Sequence, residues 1–206
     1  MVRQLKKKVS SQIRGQKTRH RIITEAALLF HHKGYAATGL EDLLKESQVT
    51  KGAFYHHFQS KKEVALAVIN EIVADKVRRR MIDPVILSGQ PVVAIRKVIL
   101  ALQKDIPEPD LLTGCPINNL SSELALQDKD FQNALAKIFQ DWETAWAEAL
   151  RRAWKSPNTY GYKDPREFSL FLIGSIEGAQ AMAKAQQSRK PIDVILKRLE
   201  MILATV

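Results

Sequence analysis

Between Thr38 and Glu63 the sequence reads TGLEDLLKESQVTKGAFYHHFQSKKE, and its caps and apolar spacing specify two short helices, a tight turn and the start of a third. Thr38 stands three residues before Glu41, so hydroxyl and carboxylate are expected to satisfy each other's orphan backbone N–H groups at a helix start near Gly39. Leu40, Leu43 and Leu44 give that helix one apolar face, and Ser47 and Gln48 end it after two turns. Thr50 is placed to cap the next helix. In that helix Phe54 and Phe58 are buried types, while Lys51, Tyr55 and His56 form an outward set. Ser60 and Glu63 repeat the hydroxyl-to-carboxylate box, which opens a further helix.

Two short helices with a polar outer face on the second make a helix-turn-helix, the unit that sets a helix in a DNA major groove. Around it lie Arg21, Ile22, Ile23, Ala26, Ala27, Leu29 and Phe30, then Gly34, Tyr35 and Thr38. Next come Val49, Thr50, Lys51, Gly52, Phe54, Tyr55, His56, His57 and Phe58, and Ser60, Lys61 and Glu63 follow. This pattern, from about Thr18 to Val68, resembles the DNA-binding domain of TetR-family transcriptional regulators. Gly39 departs from it, since the family usually carries Ser, Thr or Val there. The resemblance implies that Thr38, Thr50, Lys51, Gly52, Tyr55, His56 and Lys61 meet DNA, with Lys61 on a phosphate. Lysines and hydroxyls at helix starts position such a protein, and outward side chains within the helix reach base edges.

The charge is segregated in the same sense. Residues 1–62 carry 13 Lys and Arg against Glu25, Glu41, Asp42 and Glu46, whereas the rest of the chain carries 19 against 18. Of a net +10, nearly all therefore lies on the segment with the helix-turn-helix, the electrostatic footprint of a polyanionic partner. Residues 1–16 hold Arg3, Lys6, Lys7, Lys8 and Arg14 with no acid and are expected to form a flexible basic arm, read either as a phosphate-tracking extension or as a solvated tail. A helix from about Lys17 to Lys33 buries Ile22, Ile23, Ala26, Ala27, Leu29 and Phe30 and ends at Gly34. The helix opened by Ser60 is expected to run to about Arg80, with Lys61 and Lys62 in a first turn whose free N–H groups also favour a phosphate.

From Pro91 onward helix follows helix with no strand pattern. Helices are expected over about 91–105, from Pro116 to Asp128, from Asp130 to Trp154, from Asp164 and from Pro191, with a loop over residues 106–114. The fold class is all-α: an N-terminal three-helix helix-turn-helix domain plus a C-terminal helical ligand-binding and dimerisation domain, about nine helices in all. The expected boundaries are an arm over 1–16, the DNA-binding domain with its connecting helix over 17–80 (helix-turn-helix about 40–59), and the second domain over 81–206.

The helix opened by Asp164 is apolar on more than one side and carries Gly174 and Gly178 four residues apart, which admits close approach of another helix. It is read either as central in the monomer or as a dimer element; the resemblance implies a four-helix dimer interface, placed at Phe171, Gly174, Gly178, Met182, Ile195 and Leu199. Trp142, Trp146 and Trp154 with Phe139 line one helix stripe, read as pocket wall or as plain core. Cys115 precedes Pro116 at a helix start, where the N-terminal field favours a reactive thiolate; the other reading is a buried, inert thiol. Cys115, Phe139, Trp142 and Trp146 are the candidate pocket residues.

One cysteine excludes an internal disulfide and a cysteine-rich zinc site, and the adjacent His31 and His32 read as a surface pair. No metal, cofactor or catalytic set is expected, and no apolar run reaches the roughly 18 residues that span a bilayer. The expectation is a cytoplasmic homodimeric repressor that binds a palindromic double-stranded DNA operator and is released from it by a small-molecule or thiol-reactive inducer. The alternative is a sequence-independent basic nucleic-acid-binding protein.

Overall fold

The computed structural model describes residues 2–104, 107–153, 162 and 164–204, with side chains from residue 13 onward except that of Leu111. Ten helices and no strand make up the described chain. They are α1 (Val2–Lys33), α2 (Leu40–Ser47), α3 (Lys51–His57), α4 (61–86), α5 (Pro91–Lys104), α6 (Glu108–Leu112), α7 (Pro116–Leu124), α8 (Lys129–Ala153), α9 (Pro165–Gln186) and α10 (Lys190–Leu203). None is long and apolar enough to cross a membrane.

Three boundaries differ from the sequence reading. Helix α1 begins at Val2, so residues 2–16 continue a helix where a flexible arm was expected; Gln, Lys, Arg and Leu, all good helix formers, dominate that segment. Helix α6 occupies part of the expected loop over 106–114, with Pro109 in its first turn and the Thr113 hydroxyl donating to the Asp110 carbonyl (2.7 Å). Helix α4 runs on past Arg80 to residue 86 as one rod, widened by π-type turns over Val68–Val73 and Arg78–Ile82. Its second wide turn closes with the Asp83 N–H on the Arg78 carbonyl, and Pro84 enters where the α-helical pattern restarts, so the missing N–H is tolerated. The residues expected to stop α8, Ser156 to Asn158, lie outside the described residues, as does Trp154.

The caps explain the rest. Thr50 accepts from the Ala53 N–H (3.2 Å), Ser60 from that of Glu63 (3.2 Å) and Asp164 from that of Arg166 (2.9 Å), each where the sequence places a helix start. The start of α2 is built differently from expectation. Gly39 is the N-cap, its N–H donates to Asp42 (2.8 Å), and the Thr38 hydroxyl turns back to the Gly34 carbonyl (2.7 Å). A box of Thr38 with Glu41 is therefore replaced by a half-box of Gly39 with Asp42, one residue on.

A single apolar core runs from the reading head into the C-terminal layer. Ile22, Ile23, Ala26 and Phe30 of α1 meet Leu43, Phe54, Phe58 and Val64, and beyond them α4 carries the core to the α5, α8, α9 and α10 bundle. Each such large side chain removed from water contributes about 1.5–3 kcal/mol before entropy is counted. Trp146 is fully buried and its Nε1 donates to the Met81 carbonyl (2.6 Å) in the second wide turn of α4, which fastens α8 to α4. Trp146, read as a candidate pocket residue, is thus core.

Candidate functional site

Helix α3 stands on Phe54 and Phe58, both buried, and on the turn braced by Arg21, whose Nη2 donates to the Gln48 carbonyl (3.4 Å). Gln48 takes a left-handed conformation (φ 50°), which reverses the chain between α2 and α3. With the two phenylalanines inward, the helical repeat turns Lys51, Tyr55 and His56 outward. Thr50, Lys51, Gly52 and His56 are exposed, and Tyr55 keeps 41% of its surface in solvent. Five of the seven residues expected to meet DNA lie together on this face.

Thr38 and Lys61 do not share it. Thr38 is wholly buried with its hydroxyl bonded to Gly34, so its side chain is withdrawn from any DNA surface. The Lys61 ammonium points inward, donating to the carbonyls of Tyr35 (3.1 Å) and Thr38 (3.0 Å) and lying 4.2 Å from the Tyr35 ring centre. Lys62 is also engaged, with Asp128 and Asp130 at 2.7 Å each; those hydrogen bonds push its pKa up to about 12 and hold Asp128 below the usual carboxylate range. Both lysines of the first turn of α4 therefore brace the fold where a phosphate site was expected.

Those braces belong to a seam between the reading head and the C-terminal helices. Gly34 ends α1 with φ 88°, a conformation open to glycine at no steric cost, and frees the next two backbone N–H groups. The Glu123 carboxylate from α7 accepts both, from Tyr35 (2.8 Å) and Ala36 (2.6 Å). The Tyr35 ring then packs edge-on against Phe131 of α8. Replacing Glu123 by alanine is expected to cost about 1–3 kcal/mol, because two charge-assisted bonds vanish and the part-buried Tyr35 N–H and the exposed Ala36 N–H lose their acceptor. Urea melts of wild type and variant check this; an unchanged midpoint would show that the seam adds nothing to stability.

Above the seam lies a cavity of about 220 Å³. Leu28 and His31 of α1, Val73, Lys76, Val77, Arg80 and Met81 of α4, Cys115 and Ile117 at α7, Trp142 of α8 and Glu177 of α9 contribute to its wall. Glu177 (7% exposed) and Trp142 (1%) are buried, whereas Lys76 and Arg80 are exposed. Trp142 Nε1, His31 Nδ1 and both carboxylate oxygens of Glu177 meet no partner at full hydrogen-bond geometry among the described residues, though the Cys115 thiol and the Asn118 amide stand close enough to the Glu177 carboxyl to pull its pKa down against the effect of burial. Asn118, the nearest amide donor on α7, bonds the Glu177 backbone carbonyl instead (3.1 Å). Burial pushes the Glu177 carboxyl up to about 7. His31 is held neutral, its pKa lowered to about 4 by burial and then by Lys76. The Thr113 hydroxyl spends its hydrogen on Asp110, so His31 Nε2–H donates to it (2.8 Å) and Nδ1 is left as an acceptor.

Of the four pocket candidates, Cys115 and Trp142 line this cavity, while Phe139 and Trp146 do not. Burial, and next the charge of Glu177, raise the Cys115 pKa above its ordinary value, and these outweigh the helix-start N–H groups of Asn118 and Ile117 that pull it down. Glu177, His31, Lys76 and Arg80 were not anticipated. A signal was present for one of them, since Glu177 is a carboxylate between Ile176 and Gly178 in the middle of a helix whose other charged residues, Arg166, Glu167 and Lys184, stand near its ends.

The outer face of α9 and α10 forms a third surface. Leu170, Gly174, Gly178 and Met182 recur every four residues along α9 and are exposed, and Val194 and Met201 continue the apolar surface on α10. A Cβ at Gly174 or Gly178 would meet nothing within 4 Å. Phe171 and Ile195 are half-buried beside this stripe, but Leu199 (2% exposed) packs into the chain's own core and leaves the set expected at an interface.

With this geometry in view, two family models match: "Bacterial regulatory proteins, tetR family" over residues 22–68, and "Transcriptional regulator LmrA/YxaF-like, C-terminal domain" over residues 91–198. The chain is 35% identical, over 65% of its length and 68% of the relative's, to an uncharacterized HTH-type transcriptional regulator in the lacX 3' region of Lactococcus lactis subsp. lactis. It is 26% identical to the HTH-type transcriptional repressor NemR of Escherichia coli (strain K12), across 91% of this chain and 94% of that protein. A TetR transcriptional regulator from Chloroflexus aurantiacus J-10-FL superposes with a TM-score of 0.77 at 26% identity, covering 93% of this chain and 96% of that one.

Proposed function

Since this chain belongs to the TetR family of bacterial transcriptional regulators, DNA-binding proteins that typically repress, we propose that it is a cytoplasmic, homodimeric repressor released from a palindromic operator by a small molecule. The observation that carries this reading is the exposed stripe of Thr50, Lys51, Gly52, Tyr55 and His56, standing on buried Phe54 and Phe58 within the basic third of the chain. The reading divides the chain into a DNA-binding part to residue 80 and a sensory and dimerising part from residue 81. Paired through the α9 and α10 face, two copies would set their α3 helices about 34–36 Å apart, one turn of DNA.

Release requires a ligand that prefers the dimer with the wrong spacing. A ligand of equal affinity for both states would shift nothing, however tightly it bound. The seam supplies the mechanical link, because α1 and α7 wall the cavity and the Glu123 clamp joins α7 to the turn that follows α1. Any displacement of α7 or of the end of α1 by an occupant reaches the Tyr35 turn and hence α2 and α3.

Footprinting on random genomic fragments tests the reading. A protected palindrome is expected; uniform coverage would make the chain a sequence-independent clamp. For a single contact, Lys51→Ala is expected to weaken binding to all sequences and to reduce the slope of log affinity against log salt by about 1, the loss of one phosphate contact. An unchanged slope would remove Lys51 from the phosphate set. Substitution of Lys61 is expected to act largely through the fold, since its ammonium already holds two carbonyls.

A further inference from the structure

The cavity beneath α4 has a chemistry of its own, which narrows its occupant. Its wall is largely apolar, with Val73, Val77, Met81, Ile117 and the Trp142 ring buried and Leu28 exposed. In its wall Glu177 offers a carboxylate, approached by the Cys115 thiol and the Asn118 amide without full hydrogen-bond geometry, and Trp142 offers an indole N–H with no partner among the described residues; both residues are more than nine-tenths buried. At its exposed rim stand two cations, Lys76 and Arg80, against one carboxylate, Asp110. Among the described residues neither cation acts on the Glu177 carboxyl, so the two groups remain distinct.

Size sets the first limit. A cavity of about 150 Å³ is filled by benzene, and drug-sized ligands need about 300 Å³ or more, so 220 Å³ suits one ring with small substituents. The buried pair sets the second. Glu177 needs a donor and Trp142 an acceptor, and a hydroxyl is the smallest group that is both; an ammonium donates only and leaves the indole unanswered. The rim sets the third, because a carboxylate there meets the surplus of positive charge.

We propose that this cavity takes a monocyclic hydroxyaryl carboxylate, its hydroxyl held between Glu177 and Trp142 and its carboxylate met at the rim by Lys76 and Arg80. The proposal rests on reading the cavity as the sensory site. Isothermal titration of the full-length dimer with 4-hydroxybenzoate, benzoate and 4-hydroxybenzyl alcohol tests it, since the second probe lacks the donor and the third the anion. Binding of 4-hydroxybenzoate is expected to exceed that of either comparison by about tenfold or more, the worth of one hydrogen bond to a charged group. Glu177→Met keeps the length of the side chain but removes its oxygen acceptors, and Trp142→Phe removes the indole donor together with part of the fused ring; each should bring 4-hydroxybenzoate to within about threefold of benzoate. Paired substitution of Lys76 and Arg80 by Ala should erase its lead over the alcohol.

Benzoate or the alcohol binding as tightly as 4-hydroxybenzoate would overturn the proposal, as would no heat from 4-hydroxybenzoate at millimolar concentration. So would wild-type discrimination in a Glu177→Met variant with an unaltered circular dichroism melt. DNA protection, measured alongside, separates this from the regulatory reading. A protected palindrome with no binding of the probe overturns the ligand class alone. Binding that follows the expected order without release of DNA supports the ligand class and overturns its role as inducer.

Discussion

Placing arginine at Gly178 is expected to convert the protein to a monomer and to lower its affinity for a palindromic operator by about a hundredfold to ten-thousandfold. The glycine lies mid-stripe on the exposed face of α9, between Gly174 and Met182, and a side chain built there meets no atom of its own chain. The fold should therefore tolerate the change; an exposed helical Gly to Arg substitution even favours the helix by roughly 0.5–1 kcal/mol. What it should not tolerate is a second copy. Two α9 helices that approach through small residues have no room for a guanidinium, and burial of an unpaired charge is costly. Without the pair, the second half-site is no longer bound at high effective concentration, which sets the size of the loss. Light scattering after gel filtration, with binding to whole and half operators, reads both effects. A Gly178→Arg protein that stays dimeric and keeps full affinity would assign the interface elsewhere.

Truncating Phe54 to alanine is expected to have the largest effect on stability, about 3–5 kcal/mol. Its ring has no exposed surface, meets Tyr55 edge-on at 5.5 Å between centroids, and lies 6.1 Å from Phe58. Helix α3 has only seven residues and no length from which to draw independent stability, so the packing of Phe54 and Phe58 is what fixes it. A loss of that size is a large share of the 5–15 kcal/mol typical of a folded domain. Amide exchange in α2 and α3 should accelerate and DNA binding should fail. Tyr55→Ala is the contrasting variant: with its side chain substantially exposed, it should lose DNA affinity with a melt shifted far less. Equal destabilisation by the two would mean that Tyr55 is a packing residue and not part of a reading face.

Local signals carried most of the architecture. Thr50, Ser60 and Asp164 cap helices where hydroxyl or carboxylate precedes a helical apolar pattern, because a cap is decided by a side chain and the backbone two or three residues away. Periodicity likewise turned Phe54 and Phe58 inward and Lys51, Tyr55 and His56 outward. Where two local choices compete, sequence was a poorer guide. At the start of α2, Thr38 had both Gly34 and Glu41 within reach, and burial of the hydroxyl against Gly34 left Gly39 and Asp42 to make the cap. The helical run through residues 2–16 is another such case: the segment's charge suggested an arm, while its helix formers extend α1.

The sequence by itself determined most of the helices, the basic reading head and its outward face, since each follows from neighbours along the chain and from the placement of charge. Tertiary structure alone decided that Lys61 and Lys62 hold the fold, that Glu123 clamps the turn after Gly34, that Cys115 is a suppressed thiol, and that Glu177 and Trp142 line one cavity. Each of these depends on partners from about 20 to more than 80 residues away. The energy of a polar group is set by what surrounds it in space, and a lysine or glutamate carries no mark along the chain of whether it will face water, a carbonyl or an apolar wall.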